Sequence, residues 1–394
     1  MADVSFTNLA IVAAVAFGTP LVLGLFPRLR IPSLVVELLL GIMIGPQVLG
    51  WAEVDDAVQV MALIGVAFLL LIAGLEIDFD NLRGRVLRLT TIGWIASFAI
   101  AIAIAFLLDG AGLIEAPLLV AIVLSATGLG VIIPVLLDAG VSSTRFGQVV
   151  IASASVAEVA TIVLLSLFFG ESEGGFRSRF LLFGGFLVLV VVIGLVIVGA
   201  EHVHRISATL FRLMDTSAQI RVRGAFLLMA IFVVAASELG LEAILGAFLA
   251  GAILRLTDKD KAMTHGGFHH KIEAVGFGVF IPFFWVSSGL RFDGEALFSS
   301  GSTLAMVPIF LATLLVARGL PVLLYRKLIE SSQLLPGALL QATSISFIVV
   351  STSIGVELGI VDEGTAAAFV AAGLLSVIVF PAASLLLLER EKKA

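Results

Sequence analysis

One carboxylate carries more chemical weight than any other group in this sequence. Glu158 falls in the middle of an apolar run, Ser153-Ala154-Ser155-Val156-Ala157-Glu158-Val159-Ala160-Thr161. Ser155 and Thr161 stand three residues to either side of it, which on a helix is the same face. An acid at the centre of a bilayer costs on the order of 2.5–3.5 kcal/mol on insertion scales, so such a group reads as functional. Hydroxyl oxygens beside a carboxylate suit a small hard cation, and the same carboxylate can carry a proton instead. Competition between the two at one group is enough for exchange.

A second charge lies in Val316-Ala317-Arg318-Gly319-Leu320-Pro321. Arg318 stays protonated and needs a partner or water. The alternative is an arginine that snorkels to the interface. Small polar residues interrupt two further apolar runs. Ser125-Ala126-Thr127-Gly128-Leu129-Gly130 is followed by Pro134, and Thr343-Ser344-Ile345-Ser346 follows Pro336-Gly337. Gly and Pro weaken a helical ladder, and hydroxyls can satisfy the freed backbone groups. Paired interruptions of this kind point to a binding site, although small residues also mark close helix packing. The expected cation- and proton-binding residues are therefore Glu158, Thr127, Ser125 and Ser155, with Glu158 and Thr127 as direct ligands of a monovalent cation. Arg318, Thr343 and Ser346 are the expected polar and charged groups where the interrupted helices cross. Glu37 and Glu242 read as funnel or helix-end acids. His202, His204, His265, His269 and His270 read as solvated loop residues.

Composition says what must position these groups. Of 394 residues, 60% are hydrophobic and 13% charged, against about 25% charged in soluble proteins. Lipid must therefore solvate much of the chain. There is no cysteine, which excludes disulfides, thiolate metal sites and cysteine nucleophiles. The net charge of −6 comes without a basic patch for nucleic acid. No cofactor is called for, and no cluster of nucleophile, base and metal ligands points to an enzyme. Thirteen segments are apolar enough to cross a bilayer. They lie near 6–26, 31–50, 58–76, 89–108, 116–137, 148–170, 180–200, 224–239, 241–254, 273–290, 302–324, 335–356 and 364–388, with Gly240 alone separating the eighth from the ninth. The first has no basic stretch before it and reads as a span, not a cleaved leader. Nineteen of the 23 basic residues fall in the tail or in loops after odd-numbered spans. This predicts an external N-terminus and a cytoplasmic C-terminus in an inner membrane.

The two halves also resemble each other. Glu37-Leu38-Leu39-Leu40-Gly41 matches Glu242-Ala243-Ile244-Leu245-Gly246, Gly74-Leu75-Glu76-Ile77-Asp78 matches Gly289-Leu290-Arg291-Phe292-Asp293, and Leu124-Ser125-Ala126-Thr127 matches Leu340-Gln341-Ala342-Thr343, at offsets of 205, 215 and 216 residues. Matched spans are seven apart, so the copies cross in opposite directions, an inverted-topology repeat. The fold expected is a single all-α membrane domain over 1–394. Repeat one covers about 6–170, a connector helix about 180–200 and repeat two about 224–388. Glu158 and Arg318 have no charged counterpart at these offsets, so symmetry of the fold does not explain them.

The stretches Glu37 to Gly50, Phe68 to Asp78, Leu245 to Ala252 and Phe283 to Leu290 resemble the monovalent cation:proton antiporter-2 family, which includes bacterial Na⁺/H⁺ antiporters and Kef-type K⁺/H⁺ systems. The resemblance runs over nearly the whole chain. It implies a 13-span sodium/proton antiporter-like fold with a dimerisation domain, and hence a homodimer. It also implies a core in which two broken helices cross, and elevator-like alternating access. Two departures stand out. Members carry Asp-Asp, Asn-Asp or Gln-Asp where this chain has Ala157-Glu158, which leaves another substrate or coupling, or a non-transporting sensor, as alternatives. No cytoplasmic nucleotide-binding domain is read in these residues. Arg318 matches a position where the family places Lys or Arg, and Arg resembles the electroneutral members.

Overall fold

The computed structural model describes residues 6–25, 32–77, 84–169, 176–201, 219–257 and 267–391, and among these every regular element is helical. The first four helices are α1 (Thr7–Leu25), α2 (Ser33–Ile44), α3 (Asp56–Leu75) and α4 (Gly84–Gly110). Next come α5 (Pro117–Leu124), α6 (Leu129–Asp138), α7 (Arg145–Phe169), α8 (Phe176–Glu201), α9 (Ile220–Glu238) and α10 (Ala243–Thr257). The rest are α11 (Gly267–Val275), α12 (Ile281–Leu290), α13 (Gly294–Phe298), α14 (Gly301–Gly319), α15 (Leu334–Gln341), α16 (Ser346–Glu357) and α17 (Glu363–Glu391). Among the described residues nine helical segments are long and apolar enough to cross a membrane, and shorter apolar helices occupy Ser33–Ile44, Pro117–Ile133, Phe180–Val196 and Ala243–Leu256. The chain is a multi-pass membrane protein.

Local chemistry explains where the helices stop or change. Gly240, between the eighth and ninth expected spans, adopts φ +65°, and the N–H of Leu241 reaches back to the Ala236 carbonyl at 2.9 Å. That is a left-handed glycine cap, cheap only without a Cβ. A π turn, Gly276–Phe280, joins α11 to α12. Beyond α14, Leu320–Lys327 continues as a 3₁₀ helix. Pro321 stands at its start and has no N–H to donate.

The helices group into two compact units, one chiefly Asp55–Ile77 with Ile162–Phe284, the other Phe6–Val54, Asp78–Thr161 and Trp285–Ala394. In the first, α3 and α10 meet backbone to backbone. A Cβ on Gly74 would overlap the Phe248 carbonyl, and one on Gly251 the Leu71 carbonyl. In the second, α2 and α12 meet in the same manner, through Gly41 against the Val286 carbonyl and Gly289 against that of Leu38. Small residues at membrane helix interfaces permit such close approach. The second unit holds every residue expected at the site.

Candidate functional site

Both expected interruptions are present. α5 stops at Leu124 and α6 resumes at Leu129, while α15 stops at Gln341 and α16 resumes at Ser346. The four breakpoint residues Ser125, Thr127, Thr343 and Ser344 are completely buried. A buried helix end needs partners for its free backbone groups, and here each break supplies them to the other. The Gly128 N–H donates to the Thr343 carbonyl at 3.0 Å. The Thr127 hydroxyl donates to the Gln341 carbonyl at 2.7 Å. The two broken helices therefore cross at their breaks.

Arg318, in the last turn of α14, lies at this crossing and is only 1% exposed. Its Nε donates to the Thr127 hydroxyl at 2.7 Å and its Nη2 to Gln341 Oε1 at 2.5 Å. Gln341 is itself anchored to α7, where its amide donates to the Val150 carbonyl at 2.8 Å. Ser153 donates to the same Oε1 at 3.1 Å and bonds the Tyr325 hydroxyl at 2.9 Å. Every one of these partners is neutral, and among the described residues Arg318 makes no ion pair. The compensating charge is the end of α15: Gln341 is its last residue, and a helix C-terminus carries about half a negative charge.

Glu158 is 4% exposed in the middle of α7. Ala154, one turn earlier on the same face, packs in an apolar cluster with Leu129 and Ile132 of α6. Glu158 thus lies one turn, about 5.4 Å, beyond a residue of the cluster that also holds the start of α6. Ser155 is buried beside it and donates to the Ile151 carbonyl at 3.0 Å. The Thr161 hydroxyl is buried without a hydrogen bond.

Not every expected residue joins the crossing through its side chain. The Ser125 hydroxyl turns back to the Ile122 carbonyl at 2.8 Å, and that of Thr343 to the Leu339 carbonyl at 3.1 Å. Ser346 opens α16, half-buried, and Glu37 is 5% exposed on α2. Neither takes part in the hydrogen bonds above. His269 and His270 both face Glu273, at 3.1 and 3.0 Å, while His202, His204 and His265 lie outside the described residues.

Three residues of the network were not foreseen. Gln341 stood inside a quoted repeat stretch, and an amide in an apolar span is itself a signal. Tyr325 is the only tyrosine of the chain, and Ser153 lies five residues before Glu158.

Residues 13–388 match the family described as "Sodium/hydrogen exchanger, transmembrane". The chain belongs to this exchanger family. Among curated exchanger relatives, YjbQ of Bacillus subtilis is 28% identical over all of this chain, which spans 65% of the length of YjbQ. The Na⁺/H⁺-K⁺ antiporter GerN of Bacillus cereus is 26% identical, over 94% of this chain and 93% of GerN. Among solved exchangers, the sodium proton antiporter MjNhaP1 of Methanocaldococcus jannaschii superposes with a TM-score of 0.69 at 20% identity, covering 97% of this chain and 98% of that one. At that identity the likeness speaks for the fold.

Proposed function

We propose that this chain is a secondary transporter that exchanges a monovalent cation, Na⁺ or K⁺, for protons, with the Glu158 carboxylate holding one or the other. The observation that carries this is a buried carboxylate on α7, the helix that also anchors the crossed breaks through Ser153 and Val150. The start of α6 adds a positive helix end that favours an anion nearby. With a guanidinium on its hydroxyl, Thr127 offers the cation its carbonyl, as does Ser125, and Ser155 adds a hydroxyl. The name of GerN, with both Na⁺ and K⁺ in it, keeps both ions in view.

One titrating carboxylate carries one proton or one cation per cycle, so exchange is electroneutral. Glu37, a second buried acid, is the group that would change this. The thirteen expected segments then form an inverted repeat, with the N-terminus outside and the C-terminus in the cytoplasm of a bacterial inner membrane, and the protein works as a homodimer. The two glycine seams support the repeat. α2 meets α12 in one unit and α3 meets α10 in the other, which is the exchange of partners an inverted repeat requires. Gly41 meets Gly289 in one seam and Gly74 meets Gly251 in the other, and Gly74 and Gly289 are counterparts at the offset of 215 residues.

The test is proton flux into proteoliposomes, read with a pH dye while Na⁺, K⁺ and Li⁺ are added in turn. Glu158→Gln should fold and lose the cation-dependent flux; retained flux overturns the assignment. In the wild type the apparent cation affinity should weaken as pH falls, because protons and cations compete for one group, and an imposed membrane potential should leave the rate unchanged. A second reading rests on Ala157-Glu158, where the resembling family carries a polar-Asp pair: the same scaffold moving another substrate. A wild type silent to all three cations would favour that reading or a sensor.

A further inference from the structure

In the second unit a cavity of about 550 Å³ opens where the turn before α7 meets the 3₁₀ helix after α14. Its floor is apolar: Val141, Phe146, Ile329 and Leu388, all buried. Its rim carries three cations, Arg145, Arg326 and Lys327, each exposed. Among the described residues none of the three makes an ion pair or a side-chain hydrogen bond. Among the described side chains the one acid on the rim, Glu330, caps its own short helix, exchanging hydrogen bonds with Gln333. Among the described residues the three cations therefore stand without a compensating acid around an apolar floor.

The winding of the 3₁₀ helix decides what kind of anion fits. Residues three apart eclipse one another on such a helix. Val322, Tyr325 and Leu328 form its buried face, whereas Leu320, Leu323 and Arg326 form an exposed one, with Leu320 51% and Leu323 56% exposed. On a multi-pass protein an exposed leucine row faces acyl chains. The row ends at Arg326, so the charge stands where hydrocarbon gives way to headgroups. A soluble anion would need the cations but not the leucines. A phospholipid uses both.

We propose that this cavity binds the headgroup of an anionic phospholipid, with Arg145, Arg326 and Lys327 on the phosphate and the acyl chains along Leu320 and Leu323. Basic pockets beside membrane helices hold anionic headgroups for this reason. The site is separate from Glu158 and does not depend on what the protein transports.

The full chain in neutral detergent is mixed with phosphatidylglycerol or phosphatidylcholine, and retained lipid is counted by native mass spectrometry beside thermal unfolding. The expected result is selective retention of phosphatidylglycerol with a raised unfolding temperature, both lost in Arg145→Gln/Arg326→Gln/Lys327→Gln and kept in Arg291→Gln. Each charge removed singly should weaken binding about five-fold. Should the triple variant fail to fold, the single Lys327→Gln and the wild type in 1 M choline chloride serve instead. Salt at that strength screens charge beyond about 3 Å, so retention must fall. Equal retention of both lipids, retention untouched by the substitutions or by salt, or equal protection by inorganic phosphate overturns the proposal.

Discussion

In the first break the threonine hydroxyl reaches across to the other helix; in the second it folds back onto its own. Thr127 donates to the Gln341 carbonyl and receives Arg318, whereas Thr343 spends its hydroxyl on Leu339. The second break is also held from α17, where the Ser376 hydroxyl accepts the Ser344 N–H at 3.2 Å and shares its proton between the Gly373 carbonyl at 2.7 Å and the Ser344 carbonyl at 3.0 Å. Matched Ala-Thr pairs thus sit in unequal surroundings. The first break meets Arg318 through its threonine hydroxyl, the second through the Gln341 side chain, and the second is also tied to a serine of α17. Both breaks fall at the matched Ala-Thr pairs, and the residues around each pair set what that break can do.

Substitutions can sharpen that contrast. The largest expected effect is at Gln341→Leu, which strips a buried guanidinium of one acceptor and the Val150 carbonyl of its second donor, the one from beyond its own helix. The cost should be about 2–4 kcal/mol, read by chemical unfolding in detergent, and a loss below about 1 kcal/mol would mean the network does not hold the crossing. Thr127→Val comes next at about 1.5–3 kcal/mol, since it removes a hydrogen bond to a charged group as well as the link to Gln341. Ser376→Ala should cost about 1–2 kcal/mol by freeing both backbone groups of Ser344. Thr343→Val should cost least, under about 1 kcal/mol, because its hydroxyl only adds to a carbonyl within its own helix. Equal losses at Thr127 and Thr343 would erase the distinction between the breaks.

The breaks were legible because a run of small polar residues beside Gly and Pro inside an apolar stretch is a local signal, and it occurred twice in register. Glu158 and Arg318 were legible because charge in a span is costly wherever it points. Partner choice was not legible. Nothing in the spacing of Ser153, Tyr325 and Gln341 says that they meet, since the residues lie on three segments whose rotation about their own axes is fixed only by packing. The same limit hid the π turn at Gly276–Phe280 and the helical register of the glycine seams.

Those seams bear on how the protein is made. Gly41 on α2 meets Gly289 on α12, and Gly74 on α3 meets Gly251 on α10. Each joins an early helix to one synthesised some two hundred residues later. When α2 and α3 first enter the bilayer, their glycine faces have no partner and must wait in contact with lipid. A chain halted before α10 can complete neither unit, however well its own helices insert. Contacts of such long sequence separation make assembly slow, so the interval between insertion and closure of the seams is when this protein is most exposed to misassembly and to proteolysis.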